Sequence, residues 1–196
     1  MSHIERKIRE KEELKHKILT AAREIAAVEG WHNVTIRKIA DKIEYTAPIV
    51  YEHFESKEDL IRELIYMGFR KQHEEFEKCR AMESDPQKLL LDLAVIHWEF
   101  AEANKEMFQL MFSLEKPAPN EEMIAQMKAI KQLFLDLGHG DEKLADELIL
   151  GFFCLSHGAV TVLLQFAPPE KAKKINKKEA YIKMIKRYIN SAELQL

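Results

Sequence analysis

Residues 35–60, TIRKIADKIEYTAPIVYEHFESKEDL, hold two short helical patterns about three residues apart, then a cap that opens a longer one. Thr35 is a good N-cap, and Ile36, Ile39, Ala40 and Ile43 recur at three- and four-residue steps, striping one face of a short helix. Thr46 can cap a very short helix running to Glu52. Pro48 is acceptable there because first-turn N–H groups have no intrahelical partner. Ser56-Lys57-Glu58-Asp59 has the form of a capping box, opening a long amphipathic helix through Leu60, Leu64, Ile65, Phe69 and Phe76. Upstream, Leu14, Ile18, Ala21, Ala22, Ile25 and Ala26 mark a helix from about Lys11 to Glu29 that Gly30 stops, and Trp31 to Val34 form a short apolar link. The three helices between Lys11 and Glu52 have the spacing of a helix-turn-helix, in which one helix braces across a DNA backbone and the next enters the major groove. Helix pairs with short turns also build purely structural bundles, so this geometry alone leaves both readings open.

The rest of the chain continues the helical period. Asp85-Pro86 caps a helix bearing Leu89, Leu90, Leu93, Ile96, His97 and Phe100, which Asn104 breaks; Met107 to Leu114 is a short, nearly all-apolar helix. Lys116-Pro117-Ala118-Pro119-Asn120 is a loop, and Asn120 caps a helix with Met123, Met127, Ile130 and Phe134, ended by Gly138-His139-Gly140-Asp141. A long helix then runs to Phe166, Pro168-Pro169 stop it, and after a lysine-rich loop Asn176 to Glu179 cap a last helix with Tyr181, Ile182, Ile185, Tyr188 and Ile189 on one side. The pattern predicts an all-α chain of about nine helices and no strand.

Charged residues make up 32% and hydrophobic ones 46% of 196 residues, with six glycines and six prolines, which is ample for a globular core. Cys79 and Cys154 offer neither a metal spacing nor a disulfide framework, which fits a reducing cytosol. The charged N-terminal residues are no secretory signal, and no run of 18 or more apolar residues occurs, so a cytoplasmic protein without a membrane segment is expected. The net charge of −3 does not advertise nucleic-acid binding. Over residues 1–17, six cations against four anions leave +2, an arm able to reach phosphates or simply a solvated helix start. No Gly-x-Ser-x-Gly, His-Glu-x-x-His or phosphate-cradling glycine loop is present, so neither an enzyme nor a resident cofactor is expected.

Ile18-x-x-Ala21-Ala22, Gly30, Thr35 to Ala40 and Val50 to Leu60, in this order and spacing, resemble the DNA-binding domain of the TetR/AcrR family of transcriptional regulators. The resemblance covers roughly residues 12–72. It implies a helix-turn-helix DNA-binding domain over 1–55 and a helical ligand-binding and dimerisation domain over 56–196. The implied function is a dimeric, ligand-responsive transcriptional regulator, a repressor that leaves a palindromic operator when a small apolar or aromatic effector binds. Its partners would be double-stranded operator DNA, the effector and a second copy of the chain. A metal-responsive regulator using His97, His157 and Cys154, and a helical interaction bundle that binds no DNA, are the competing readings.

By resemblance the recognition helix spans Thr46 to Glu52, with Ala47, Pro48 and Ile49 facing base edges; such apolar groups can touch thymine methyls but cannot read guanine. Arg37 matches a position from which a guanidinium reaches a guanine edge, or is a solvated arginine. Thr35, Tyr45, Tyr51, His53 and Lys57 look like phosphate-positioning groups, helped by the helix N-terminus after Ser56; Tyr51 has a packing role as its alternative. Glu44 stands where the family usually has glycine, in a turn that favours a left-handed conformation.

Beyond residue 100, Phe100-Ala101-x-x-Asn104-x-x-Met107-Phe108-x-x-Met111-Phe112 and Phe153-x-x-x-His157-Gly158 resemble the ligand-binding domain of a TetR subgroup with a Trp-x-x-x-His-Gly motif, Phe153 taking the tryptophan place. The candidate pocket is His97, Trp98, Met107, Met111, Met127, Phe134, Phe153 and His157, a set that suits an apolar ligand and equally an ordinary core. The helix from Leu144 to Phe166 is apolar nearly all round, so it needs cover on more than one face. Leu148, Leu155, Ala159 and Val162, with Tyr181, Ile185 and Tyr188, are the expected dimer interface. An effector is expected to displace the helix after the Pro117 loop and, through the long helix from Lys57, to change the spacing of two reading heads.

Overall fold

The computed structural model describes residues 3–113, 117–138, 140–165 and 176–193. Among these are nine α-helices and no strand: α1 (His3–Glu29), α2 (Ile36–Lys42), α3 (Ala47–Tyr51), α4 (Lys57–Arg80), α5 (Pro86–Ala103), α6 (Lys105–Met111), α7 (Glu121–Leu137), α8 (Glu142–Gln165) and α9 (Lys177–Glu193), with a 3₁₀ turn at Trp31–Asn33. Leu114 and Lys116, His139, Phe166, the stop at Pro168-Pro169 and the lysine-rich loop lie outside the described residues.

The capping side chains set most helix starts. Thr35 accepts from Lys38 N at 3.2 Å, Asn120 from Met123 N at 2.8 Å and Asn176 from Glu179 N at 3.1 Å, each satisfying an orphan first-turn donor. Ser56 accepts from Asp59 N at 3.1 Å while Asp59 accepts from Glu55 N at 3.2 Å, a reciprocal box shifted by one residue. Helix α1 starts eight residues before the expected Lys11. The reason is its run of strong helix formers joined by Arg6–Glu10 and Arg9–Glu13 pairs one turn apart, which replace an apolar stripe as the local support. Ile4 and Ile8 are exposed there.

The chain divides into two compact units, one formed by residues 1–68 and 104–117, the other by 69–103 and 118–196. The core of the first is Ile18, Ala22, Ile39, Val50, Leu60 and Leu64, all essentially without solvent exposure. Helix α6 belongs to this unit although it follows α5 in sequence. A Cβ on Gly68 would overlap the Met111 sulfur, so glycine lets α4 and α6 approach there. In the second unit α8 packs on α5, α7 and α9, with Leu90, Trp98, Phe134, Phe152 and Tyr181 at the centre. By length and composition alone α8 is able to cross a bilayer; 28% of its apolar stretch is buried within the chain, where α8 packs on α5, α7 and α9, and the rest is left uncovered by them.

Candidate nucleic-acid interface

The interface begins at the turn between α2 and α3. Glu44 has φ of 60°, the left-handed region expected of glycine. Around it Tyr45 N donates to Ala40 O at 2.9 Å and Glu44 N to Asp41 O at 3.3 Å, a complete Schellman motif closing α2. The bend is therefore kept despite the side chain. It turns the chain so that Thr46 precedes α3 in an extended conformation, with Pro48 in the first turn. Val50, fully buried, and Phe54 anchor the inner side of this short helix.

The outer side is open. Pro48 and Thr46 are exposed, Ala47 and Ile49 half-buried, and the rings of Tyr45 and Tyr51 stand out at 43% and 53% exposure. A buried, packing role for Tyr51 is thus not what the fold gives it. Thr35 is exposed but its oxygen already caps α2, leaving its O–H to donate. Arg37 is exposed and enters no ion pair among the described residues. Lys57 is half-buried and donates to the Trp31 carbonyl at 3.2 Å, which holds the ammonium at a fixed place at the start of α4. His53 is half-buried. Burial, and then Lys11, hold it below the ordinary imidazole value, so near neutral pH it offers one N–H rather than a full charge. Lys38 and Lys42 are paired with Glu29 and Glu24.

The structure brings the ten expected DNA-facing residues, Thr35 to Lys57, into the first unit, around α3 and its supports. Sequence reasoning missed the side chains behind them: Arg23 of α1 binds Glu106 and Asn104 of α6, and Trp31 binds the Glu106 carbonyl. Separations of 75 to 83 residues leave no local signal for such contacts.

The eight residues expected around an effector are divided between the two units. Met107 and Met111 are buried in the first unit. In the second, Phe134 is buried edge-on to Phe152 at 5.5 Å, and Phe153 lies 5.7 Å from Phe152 with its own ring partly exposed. Met127 is at the surface with 61% exposure, because its side of α7 meets solvent. His97, Trp98 and His157 remain as polar groups of the interior. His97 Nδ1 stands 3.4 Å from Gln72 Oε1, its ring 6.1 Å from that of His157, and His157 Nε2 is 3.5 Å from Thr161 Oγ1. This string joins α4, α5 and α8. Desolvation, and secondarily His157, push His97 down to about 3. Gln72 Nε2 and Trp98 Nε1 are buried and find no hydrogen-bond acceptor among the described residues. No group of three histidine, cysteine or acidic side chains comes together to hold a metal ion among the described residues. Two open surface grooves, one at Leu135 and Glu142, the other at His16 and Lys42, touch none of the eight.

Of the residues expected between subunits, Leu148, Ala159, Tyr181 and Ile185 are buried within their own unit. Tyr181 Oη bonds Ser156 Oγ at 2.5 Å and the Ala94 carbonyl at 3.1 Å, and its value is raised to about 12 by burial. Tyr188 Oη donates to the Leu148 carbonyl at 2.9 Å and crowds Gly151, so α9 covers α8 from within. Leu155 is half-buried, and Val162, the remaining α8 residue expected between subunits, is exposed. The open face carries Leu150 at 67% exposure, Phe153, Cys154 and Val162 at 51%, with Gly158 facing empty space.

A search of curated proteins finds no match to the chain. Among solved structures, a protein of unknown function from Rhodococcus sp. RHA1 superposes with TM-score 0.70 at 18% identity, covering 91% of this chain and 94% of that one. A TetR/AcrR-family transcriptional regulator from Thermobifida fusca YX-ER1 gives TM-score 0.62 at 20% identity, covering 90% and 96%. A TetR variant from Acinetobacter baumannii AYE, solved in complex with minocycline, gives 0.68 at 17%, covering 91% and 95%. The family described as bacterial regulatory proteins, tetR family, matches residues 18–64, the segment that builds α2, α3 and their supports. Residues 18–64 thus match the tetR family of bacterial regulatory proteins, on a chain whose all-helical fold is that of TetR/AcrR transcriptional regulators.

Proposed function

We propose that the chain works as a cytoplasmic homodimeric repressor that holds a palindromic operator and releases it when a small, largely apolar effector enters the second unit. The observation that carries the DNA part is the exposed outer side of α3, framed by Tyr45, Tyr51 and Arg37 and held by the strained Schellman turn at Glu44. A helix of this length reads few base pairs, whereas two of them about 34 to 36 Å apart read a two-fold site. The open apolar face of α8 supports dimerisation, since Leu150, Phe153 and Val162 in water forgo roughly 25 cal/mol for each Å² of apolar surface that a second copy would cover.

The string Gln72, His97, His157 and Thr161, set in an apolar surround, supports an effector with a hydrogen-bonding group on an apolar body. A buried donor without an acceptor costs about 1 to 3 kcal/mol, so a ligand supplying an acceptor to Gln72 or Trp98 would bind with that penalty removed. A ligand works only by binding the two states of the regulator unequally. Selection of genomic DNA fragments on the purified protein, followed by gel shift, tests the reading. Retention of a shared two-fold sequence is the expected result, and uniform weak retention of all fragments contradicts it. Measurement of the distance between labels on the two α3 helices, with and without a compound that releases DNA, tests the mechanism; an unchanged distance would overturn it.

A further inference from the structure

Asn104 occupies the N-cap of α6, where an asparagine side chain ordinarily accepts from an N–H of the first turn. It makes no such bond. Its Oδ1 accepts instead from Arg23 Nη2 at 3.0 Å. The same guanidinium donates to Glu106 Oε1 through Nη2 at 2.9 Å and Nε at 3.2 Å. The Glu106 carbonyl accepts from Trp31 Nε1 at 2.7 Å, and the Trp31 carbonyl accepts from Lys57 Nζ at 3.2 Å. One cluster thus ties α1, the 3₁₀ turn, the first turn of α4 and α6. All of its members lie within the first unit.

A solvent-exposed ion pair contributes little, but this one is part-buried, and its guanidinium serves two acceptors at once. Charge-assisted bonds of this kind fix geometry as well as energy. The elements they fix are those that carry α3: α1 packs on α2, α2 on α3, and Lys57 begins the helix that follows α3.

We infer that Arg23 and Glu106 are positioning residues for DNA reading, fastening α6 behind α1 and Trp31 so that the frame presenting α3 is rigid. Neither residue touches DNA in this account, which rests on the DNA-binding function proposed above.

The test uses the full chain with Arg23→Ala, Glu106→Gln, and the exchanged pair Arg23→Glu with Glu106→Arg. Hydrogen exchange of the α6 amides is read without DNA, and affinity for a fragment selected by the wild-type protein is read across a series of KCl concentrations. Both single variants should speed exchange in α6 and weaken DNA binding roughly tenfold, with the slope of log affinity against log salt unchanged, and the exchanged pair should recover both. Should Arg23→Ala fail to fold, Glu106→Gln, which keeps the side-chain volume, carries the same readings. A slope smaller by about one in Arg23→Ala would make Arg23 a phosphate ligand and overturn the inference. So would unaltered α6 exchange, or an exchanged pair no better than the single variants. Failure of the wild-type protein to retain any fragment overturns the DNA-binding function itself; normal wild-type retention with unaltered α6 exchange overturns only the positioning role.

Discussion

Glu44 shows what one residue in the left-handed region does. Its φ of 60° costs roughly 1 to 2 kcal/mol relative to glycine, and the Schellman bonds around it keep the bend regardless. Glu44→Gly should raise stability to urea by about 1 kcal/mol, part of the gain being offset by the freer unfolded chain; a loss of stability would mean that the carboxylate has a structural partner. His97 makes a second residue-scale prediction. The unfolded histidine takes a proton near 6.5, whereas burial holds the folded one at about 3, so the folded state refuses a proton that the unfolded state accepts. Stability attributable to His97 is complete above about pH 6.5 and falls at up to about 1.4 kcal/mol per pH unit on the way toward 3. The drop in urea midpoint between pH 7.5 and 5 should shrink in His97→Gln, and an equal drop would contradict this. The turn anomaly at Glu44 was legible in the sequence because the TetR/AcrR resemblance puts a glycine at that place. The Gln72–His97–His157 string was not, since residues 25 and 60 apart become neighbours only through helix phase.

At the scale of elements, starts and stops were legible because caps are local chemistry: Thr35, Ser56, Asn120 and Asn176 each bond within four residues. Facing is different. That α8 is apolar all round can be read from its residues, but which side its own chain covers depends on the phases of α7 and α9. Leu148 and Tyr181 therefore turn inward while Leu150 and Val162 stay outside. Val162→Glu and Leu150→Glu should each convert a dimer to monomers in sedimentation without lowering the melting temperature much, since neither side chain is packed in its own unit. Intact dimers in both would place the pairing surface elsewhere. For α3 and its flanks, Tyr51→Phe and Lys57→Ala should each weaken operator binding by about 1 kcal/mol across sequences, the first through a lost phosphate bond, the second also through a looser Trp31 carbonyl. Unchanged affinity in both variants, measured by gel shift, would remove them from the interface.

Across the whole molecule, the family match at 18–64 falls within the resemblance read over residues 12–72, which decided what the helix spacing alone had left open. The residues expected around an effector lie outside that match. Met107 and Met111 lie on α6, which is built into the first unit, where Met111 fills the notch at Gly68. A net charge of −3, with Lys38 and Lys42 already paired, leaves few cations for phosphates, which points to binding that depends on shape and symmetry as much as on charge. The most direct measurement is therefore sequencing of the genomic fragments that the purified protein retains at near-physiological salt. The account predicts one enriched motif with two inverted half-sites about one helical turn apart, lost when Val162→Glu separates the subunits. Retention without a shared motif, or an enriched site read equally well by the monomeric variant, would contradict it.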